Sequence, residues 1–420
     1  MHSSLRKERV VLVAVENDEG ASRAHLHELS QLAEAAGAED VGRIVQTGDI
    51  NPDHYLDKDK FNDVKTLIKE TKADAIISDD ELTDTQLYNL AEVLNIKVLD
   101  RTLVILDIFA QRAKTLESME QVELAQLKYH LAHQKGLKAS LSRSALTIIH
   151  GGIGGIGPGD EPIEKDEETI RKRIEFLTTE IDGINNKRND QRKKRMAQNL
   201  PIVALVGYAN SGKSTLMNTL TGAGVLAENK VFATLDTTTC KAELRNLGTN
   251  VLFTDTVGFI NKLPSHLMQA FHATMEEVKF ADILLHVVDS SSPNQQEEMR
   301  VVYETLKLLD CHDQLIITVL NKTDIAVDYS GMRIDNNAYY TVPVSAKTGF
   351  NIEELFVAID NLVKAPRIYV QVLIPHDKAA LSYQIYETCR ITKQESLKEG
   401  TLMEIFTTKE MIGKLKEYLV

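Results

Sequence analysis

Eight consecutive residues, Gly207, Tyr208, Ala209, Asn210, Ser211, Gly212, Lys213 and Ser214, fit the phosphate-binding loop G-x-x-x-x-G-K-[ST]. In that pattern small residues let backbone N–H groups converge on phosphate oxygens, and the lysine adds a point charge. Further along stand Asn321, Lys322, Thr323 and Asp324, an N-K-x-D set. Its asparagine and aspartate are expected to recognise guanine, the carboxylate accepting from two adjacent N–H groups that adenine does not offer. The two stretches together predict GTP and GDP as ligands. Between them, Phe232, Ala233, Thr234, Leu235 and Asp236 supply a threonine at switch-one spacing, and Asp255, Thr256, Val257 and Gly258 supply a magnesium-supporting aspartate and a γ-phosphate-sensing glycine. Ser345, Ala346 and Lys347 come last, where a loop can back the guanine ring.

These residues need strand ends to hold them. Ile202 to Val206 is an apolar strand feeding the loop, and Lys213 to Leu220 reads as a helix whose N-terminus faces phosphate. Val251 to Phe253, Ile283 to Val288, Leu315 to Leu320 and Thr341 to Val344 are further apolar strands alternating with helical stretches. The expected fold class is therefore α/β, with a parallel sheet carrying helices on both faces around the nucleotide.

The flanking chain divides into pieces. Arg9 to about Arg101 alternates short strands (Val10 to Val15, Ile44 to Val45, Ala75 to Ile77, Ile96 to Leu99) with helices such as Phe61 to Lys69 and Thr83 to Leu94, an N-terminal α/β domain with no phosphate fingerprint. Leu124, Leu127 and Leu131 mark one long helix. Ile170, Ile174, Leu177, Ile181 and Ile184 mark a second with coiled-coil spacing, so an antiparallel helical hairpin is expected. The glycine-rich Gly151 to Gly159 lies between them, either as a linker or as a probe at the hairpin tip. After Pro366, strand, helix and strand patterns predict a small α/β C-terminal domain. The expected boundaries are 1–113, 114–198, 199–365 and 366–420.

Composition bounds the rest. The 420 residues suffice for two to four domains, and no apolar run is long enough to span a bilayer, which predicts a cytoplasmic protein; a monomer is expected. Three isolated cysteines, Cys240, Cys311 and Cys389, argue against a disulfide framework. His130 and His133 read as surface residues. A net charge of −13 disfavours indiscriminate nucleic-acid binding, although Arg171 to Arg173, Lys187, Arg188 and Arg192 to Arg195 concentrate positive charge ahead of the nucleotide domain.

Several of these segments make a resemblance specific. Asp100-Arg101-Thr102, Leu106 to Ala113, Gln121 to Leu127, the Gly157-Pro158-Gly159 turn, Phe232 to Asp236 and Asp255 to Ile260 with Leu263-Pro264 resemble the HflX family of translational GTPases over nearly the whole chain. The resemblance implies binding to the large ribosomal subunit and its rRNA, splitting of stalled or idle ribosomes, and GTP hydrolysis. Two departures stand out: Ile156 takes the place of an arginine before the turn, and Cys240 that of a basic residue closing switch one. On this reading Lys213, Thr234 and Gly258 form the catalytic set, and Ser214 and Thr234 hold Mg2+. Phe259 replaces a water-positioning glutamine, so unaided hydrolysis should be slow, with the ribosome or K+ near Asn210 completing the site. The competing classes are a GTPase for ribosome assembly or tRNA modification, and a GTP-timed protein-binding switch.

Overall fold

The computed structural model describes residues 7–16, 19–142, 167–196, 200–224, 231–232, 234–244, 249–263, 277–311, 314–326, 334–364, 368–407 and 409–420. The chain forms two compact units. One gathers Met1–Ala197, Glu228–Asp236 and Ile260–Ala273; the other gathers Gln198–Ala227, Thr237–Phe259 and Thr274–Val420.

The first unit begins with β1 (Glu8–Glu16), α1 (Glu19–Ala35), β2 (Ala38–Thr47), α2 (Lys58–Thr71), β3 (Ala75–Ser78), α3 (Asp84–Leu94), β4 (Lys97–Asp100) and α4 (Arg101–Arg112). Its sheet has the order β2-β1-β3-β4 and is parallel throughout. Strand β1 is almost continuously apolar and buried, as a central parallel strand covered on both faces must be. Strand β2 runs ten residues, far beyond Ile44 and Val45, because an edge strand can carry Glu39, Asp40 and Arg43. Side-chain caps fix the helix starts. Thr83 and Gln86 form a capping box on α3, and Asp100 accepts from Leu103 N–H on α4.

Helices α5 (Leu116–Ala132), α6 (Gln134–Leu141) and α7 (Glu167–Met196) complete this unit. Helix α5 is buried along Val122, Ala125 and Tyr129, whereas the Leu124, Leu127 and Leu131 stripe is half-buried. It pairs with α7, where Leu177 is fully buried and Arg173 grips Glu123 with two bonds of 2.8 Å. His133 departs from its surface assignment. It is buried and stacked on Tyr129, its ring nitrogens 2.9 Å from the carbonyl oxygens of Tyr129 and Leu82, because α5 ends there against the strand-side loop. Gly151 to Gly159 lies outside the described residues, as do the side chains of Lys187, Arg188 and Arg192 to Arg195.

The second unit holds β5 (Ile202–Val206), α8 (Lys213–Thr221), β6 (Thr238–Leu244), β7 (Thr249–Asp255), β8 (Ile283–Asp289), α9 (Gln295–Leu308), β9 (Leu315–Asn321), β10 (Tyr340–Pro343) and α10 (Ile352–Lys364). The sheet order is β10-β9-β8-β5-β7-β6. Four pairings are parallel, but β6 runs antiparallel to β7, so the sheet is mixed rather than wholly parallel. The cause is connection length: a short link between neighbours permits only an antiparallel return. Val203, Leu205, Phe253, Leu285, Val287, Ile317 and Val319 build the core with Leu216, Leu355 and Ile359 from the helices.

In the same unit, β11 (Ile368–Ile374), α11 (Ala379–Thr388), β12 (Arg390–Ser396), β13 (Thr401–Thr407) and α12 (Lys409–Leu415) follow. They form an antiparallel sheet of order β11-β13-β12 over Val372, Ile374, Ile385, Met403 and Ile405. Strand β12 has no apolar alternation in its sequence, which is why its pattern predicts no strand.

Candidate nucleotide-binding site

Strand β5 ends at Val206 and the phosphate loop begins at once. Gly207 has φ 155° and no room for a side chain, since a Cβ would meet Val287 O at 2.3 Å. Asn210 and Gly212 take φ of 61° and 96°, the left-handed backbone of a tight turn, and Ser211 N–H closes back on Tyr208 O at 3.3 Å. Helix α8 then starts at Lys213, placing its N-terminal dipole at the loop.

Lys213 is buried. Its ammonium donates to the carbonyl oxygens of Gly207 (3.1 Å) and Tyr208 (3.0 Å). Burial pushes it down to about 8; Asp255 pulls upward and Lys322 adds to the fall. An anion in the loop would restore the charge, which is what a phosphate ligand supplies. Ser214 donates to Asp255 Oδ2 at 2.7 Å, and Asp255 is fully buried at the end of β7. A hydroxyl beside a carboxylate at a strand end is a hard-oxygen donor pair suited to Mg2+.

The segment after Asp255 is stitched to the phosphate loop. Thr256 donates to Leu205 O (2.6 Å), Ala209 N–H to Phe259 O (2.6 Å) and Phe259 N–H to Gly207 O (3.1 Å). Val257 is buried between them, and Tyr208 bridges to Phe259. A Cβ on Gly258 would sit 2.8 Å from Ala209 Cα and 3.0 Å from Lys213 Nζ, so glycine is required by the close approach. The Phe259 ring is 1% exposed, so it is packed inside the protein and offers no face to solvent.

The candidate base-reading residues are held by hydrogen bonds within the protein. Asn321, 2% exposed, donates to Ser211 O and accepts from Ala346 N–H, both at 2.9 Å. Its amide thereby ties the phosphate loop to the Ser345-Ala346-Lys347 loop. Asp324 is exposed, oriented by the Ser345 hydroxyl at 2.7 Å, and its carboxylate is available to guanine. Lys322, at φ 62°, pairs with Asp289 at 2.7 Å, and Thr323 is buried with its N–H on Val344 O. Lys347 is exposed. Sequence reasoning missed Asp289, whose position at the C-terminal end of β8 beside β9 is the available signal.

Phe232, Thr234, Leu235 and Asp236 belong to the first unit, and Ala233 lies outside the described residues. The first unit also receives Asn261 and Lys262. Lys262 pairs with Asp79 at 2.7 Å and Asp80 at 2.6 Å, and Arg101 donates to Asn261 O, to Asp79 at 2.7 Å and to Glu28. Burial raises Asp79 to about 6 despite the pull of Lys262. Glu16, His25 and Asp79 bring ligand atoms within 4.8 Å of one another, a group that could hold a metal ion. Both Asp79 oxygens already face a cation, so the charge such an ion would bring is largely supplied by Arg101 and Lys262. Among the described residues no helix is long and apolar enough to cross a membrane.

Comparison with known proteins identifies the family. Three family models match in succession: "GTP-binding GTPase N-terminal" over residues 23–110, "GTP-binding GTPase Middle Region" over 112–195 and "50S ribosome-binding GTPase" over 202–322. GTPase HflX of Lacrimispora saccharolytica is 43% identical over 413 residues, covering 98% of this chain and 96% of its own. GTPase HflX of Escherichia coli is 34% identical over 398 residues, covering 94% and 92%. Among solved structures, a GTP-binding protein from Sulfolobus solfataricus in complex with GDP aligns at 24% identity and a TM-score of 0.45, covering 85% of this chain and 98% of that one. With relatives matched over more than nine-tenths of both chains at these identities, the chain belongs to the HflX family of GTPases.

Proposed function

We propose that this GTPase binds the large ribosomal subunit through its rRNA and splits stalled or idle ribosomes at the expense of GTP. The observation that carries the reading is the continuity of the match, because the N-terminal and middle regions accompany the GTPase segment in the same relatives. A GTPase for ribosome assembly or tRNA modification would share only the nucleotide site.

The working parts are the 1–113 α/β domain, the 114–198 helical hairpin, the 199–365 GTPase domain with helices on both sheet faces and the 366–420 α/β domain. Backbone N–H groups from Asn210 to Ser214 cradle the phosphates and Lys213 neutralises the β and γ oxygens. Ser214 and Thr234 would hold Mg2+, with support from Asp255. Magnesium, when bound, screens the charge that develops between the β and γ oxygens. Gly258 presents its N–H to the γ-phosphate. Asp324 reads guanine against the backing of Ser345, Ala346 and Lys347. No glutamine follows Gly258 and the Phe259 ring is buried, so hydrolysis waits on a group from outside: the ribosome, or K+ held near Asn210. The protein acts as a cytoplasmic monomer, with the Gly151 to Gly159 loop as its RNA probe.

The test is GTP turnover with and without purified large subunits, alongside light scattering of intact ribosomes. Turnover should rise and scattering should fall. Unchanged turnover at saturating subunit concentration would exclude the ribosomal reading. Replacing Gly151 to Gly159 by a short neutral turn should abolish splitting and leave GDP affinity in place.

A further inference from the structure

We propose that Asp236 is a positioning residue which ties the magnesium-binding segment of switch one to the first turn of α5, so that nucleotide state is passed directly to the helical pair. This rests on the assignment of Thr234 as a magnesium ligand. The residues around Thr234 are built into the first unit by both packing and charge. Val231, Phe232 and Leu235 are buried, and Phe232 meets the ring of Phe109 edge-on with centroids 4.6 Å apart. Phe232 holds φ 54°, a left-handed conformation unfavourable to a bulky residue and sustained here by that packing.

Asp236 closes the segment. One carboxylate oxygen accepts from the Thr115 hydroxyl at 2.7 Å and the other from Lys114 N–H at 3.1 Å. Thr115 is the N-cap of α5, its hydroxyl oxygen accepting from Ser118 N–H at 3.2 Å. The carboxylate therefore continues the cap of α5 outward and lies where the helix dipole favours negative charge. Two residues later, Thr238 pairs with Asp255 across β6 and β7. Asp236 thus stands on a short stretch of chain between the switch-one threonine and the strand neighbour of the magnesium-supporting aspartate. At its other end it grips the root of the helix that pairs with α7. Any rearrangement of Thr234 must strain or release this grip, and the first turn of α5 is where the change registers.

The distinguishing variant is Thr115→Asp. Aspartate is as good an N-cap as threonine, so the helix keeps its first turn, but the new charge repels Asp236 and breaks the tie. Thr115→Ser keeps both cap and tie. In the double variant Thr115→Asp with Asp236→Asn, the introduced amide can donate to the introduced carboxylate and accept from Lys114 N–H, which restores the tie with its polarity reversed. The measurement is hydrogen exchange of residues 116–122 in the full-length protein, compared between Mg·GDP and a magnesium-bound non-hydrolysable GTP analogue. Exchange in the wild type and in Thr115→Ser should differ between nucleotides by about fivefold, the effect of one cap on a helix-opening equilibrium. Thr115→Asp should erase the difference and the double variant should regain it. The proposal is overturned if the wild type shows no difference, or if Thr115→Asp keeps it. Subunit-stimulated turnover of the wild type, measured in parallel, reports separately on the ribosomal function.

Discussion

Asn321 and Asp324 belong to one sequence motif, yet the structure gives them opposite sensitivities. Asn321→Ala deletes two buried hydrogen bonds and leaves Ser211 C=O and Ala346 N–H without those partners, in surroundings where both residues are under 5% exposed. Each lost bond is worth roughly 1 kcal/mol and each stranded group costs a further share, so the second unit should lose about 2–4 kcal/mol of stability. Because Asn321 holds the two loops in register, GDP affinity should fall as well, and GDP should restore stability as the logarithm of its concentration over Kd. Asp324→Asn is the counterpart. Its side chain is exposed and an amide oxygen can still accept from Ser345, so stability should hold while GTP affinity falls and affinity for xanthosine triphosphate rises. Urea titrations with and without GDP, paired with binding titrations, separate the two. Should Asn321→Ala lose GDP affinity at an unchanged unfolding midpoint, the asparagine is a base contact and the bracing argument is wrong.

Further outcomes follow from burial. With Lys213 lowered to about 8, GDP binding requires proton uptake above that pH, and affinity should weaken about fourfold between pH 7 and 8.5 in a fluorescence titration; a flat profile would show a lysine charged throughout. His286, 1% exposed, is held by burial at about 4 despite the pull of Asp335. Its folded value lies below that of the unfolded chain, so stability is full above about pH 6.5 and declines on acidification, by roughly 2 kcal/mol at pH 5. His286→Phe should flatten that slope in denaturant titrations at the two pH values. Phe259→Ala should destabilise by about 3–5 kcal/mol, because the ring fills core space. A change in subunit-stimulated turnover with no loss of stability would instead restore Phe259 to the catalytic surface.

What could be read from the sequence was whatever rested on local pattern. The strand before Gly207, the phosphate loop, Asp255 at a strand end and the Ser345 loop all appear where periodicity and spacing put them, because each depends on a few adjacent residues. Edge strands were harder. β2 and β12 carry charges on open edges and β6 is specified by its partner, so none shows the apolar run that marks a buried strand. The roles within a motif were also hidden. Spacing alone cannot tell that Asn321 points at backbone, that Phe259 turns inward or that His133 is enclosed, since each orientation depends on residues far away in sequence or on the fit of a whole loop.

The passage of Glu228–Asp236 and Ile260–Ala273 into the first unit has a consequence for biogenesis. During synthesis the first four strands and their helices emerge early and can pair among themselves before the rest of the chain is made. The Asp79 and Arg101 pocket, and the surface of Phe109 that meets Phe232, are completed only after a chain segment more than 120 residues downstream has left the ribosome. Until then a buried-charge cluster lacks its lysine and an aromatic face lies open to water. The nascent protein therefore passes through a stage in which its first unit has its backbone order but not its final stability. A nascent chain arrested before Ile260 should be more susceptible to proteolysis in that unit than one arrested beyond Ala273.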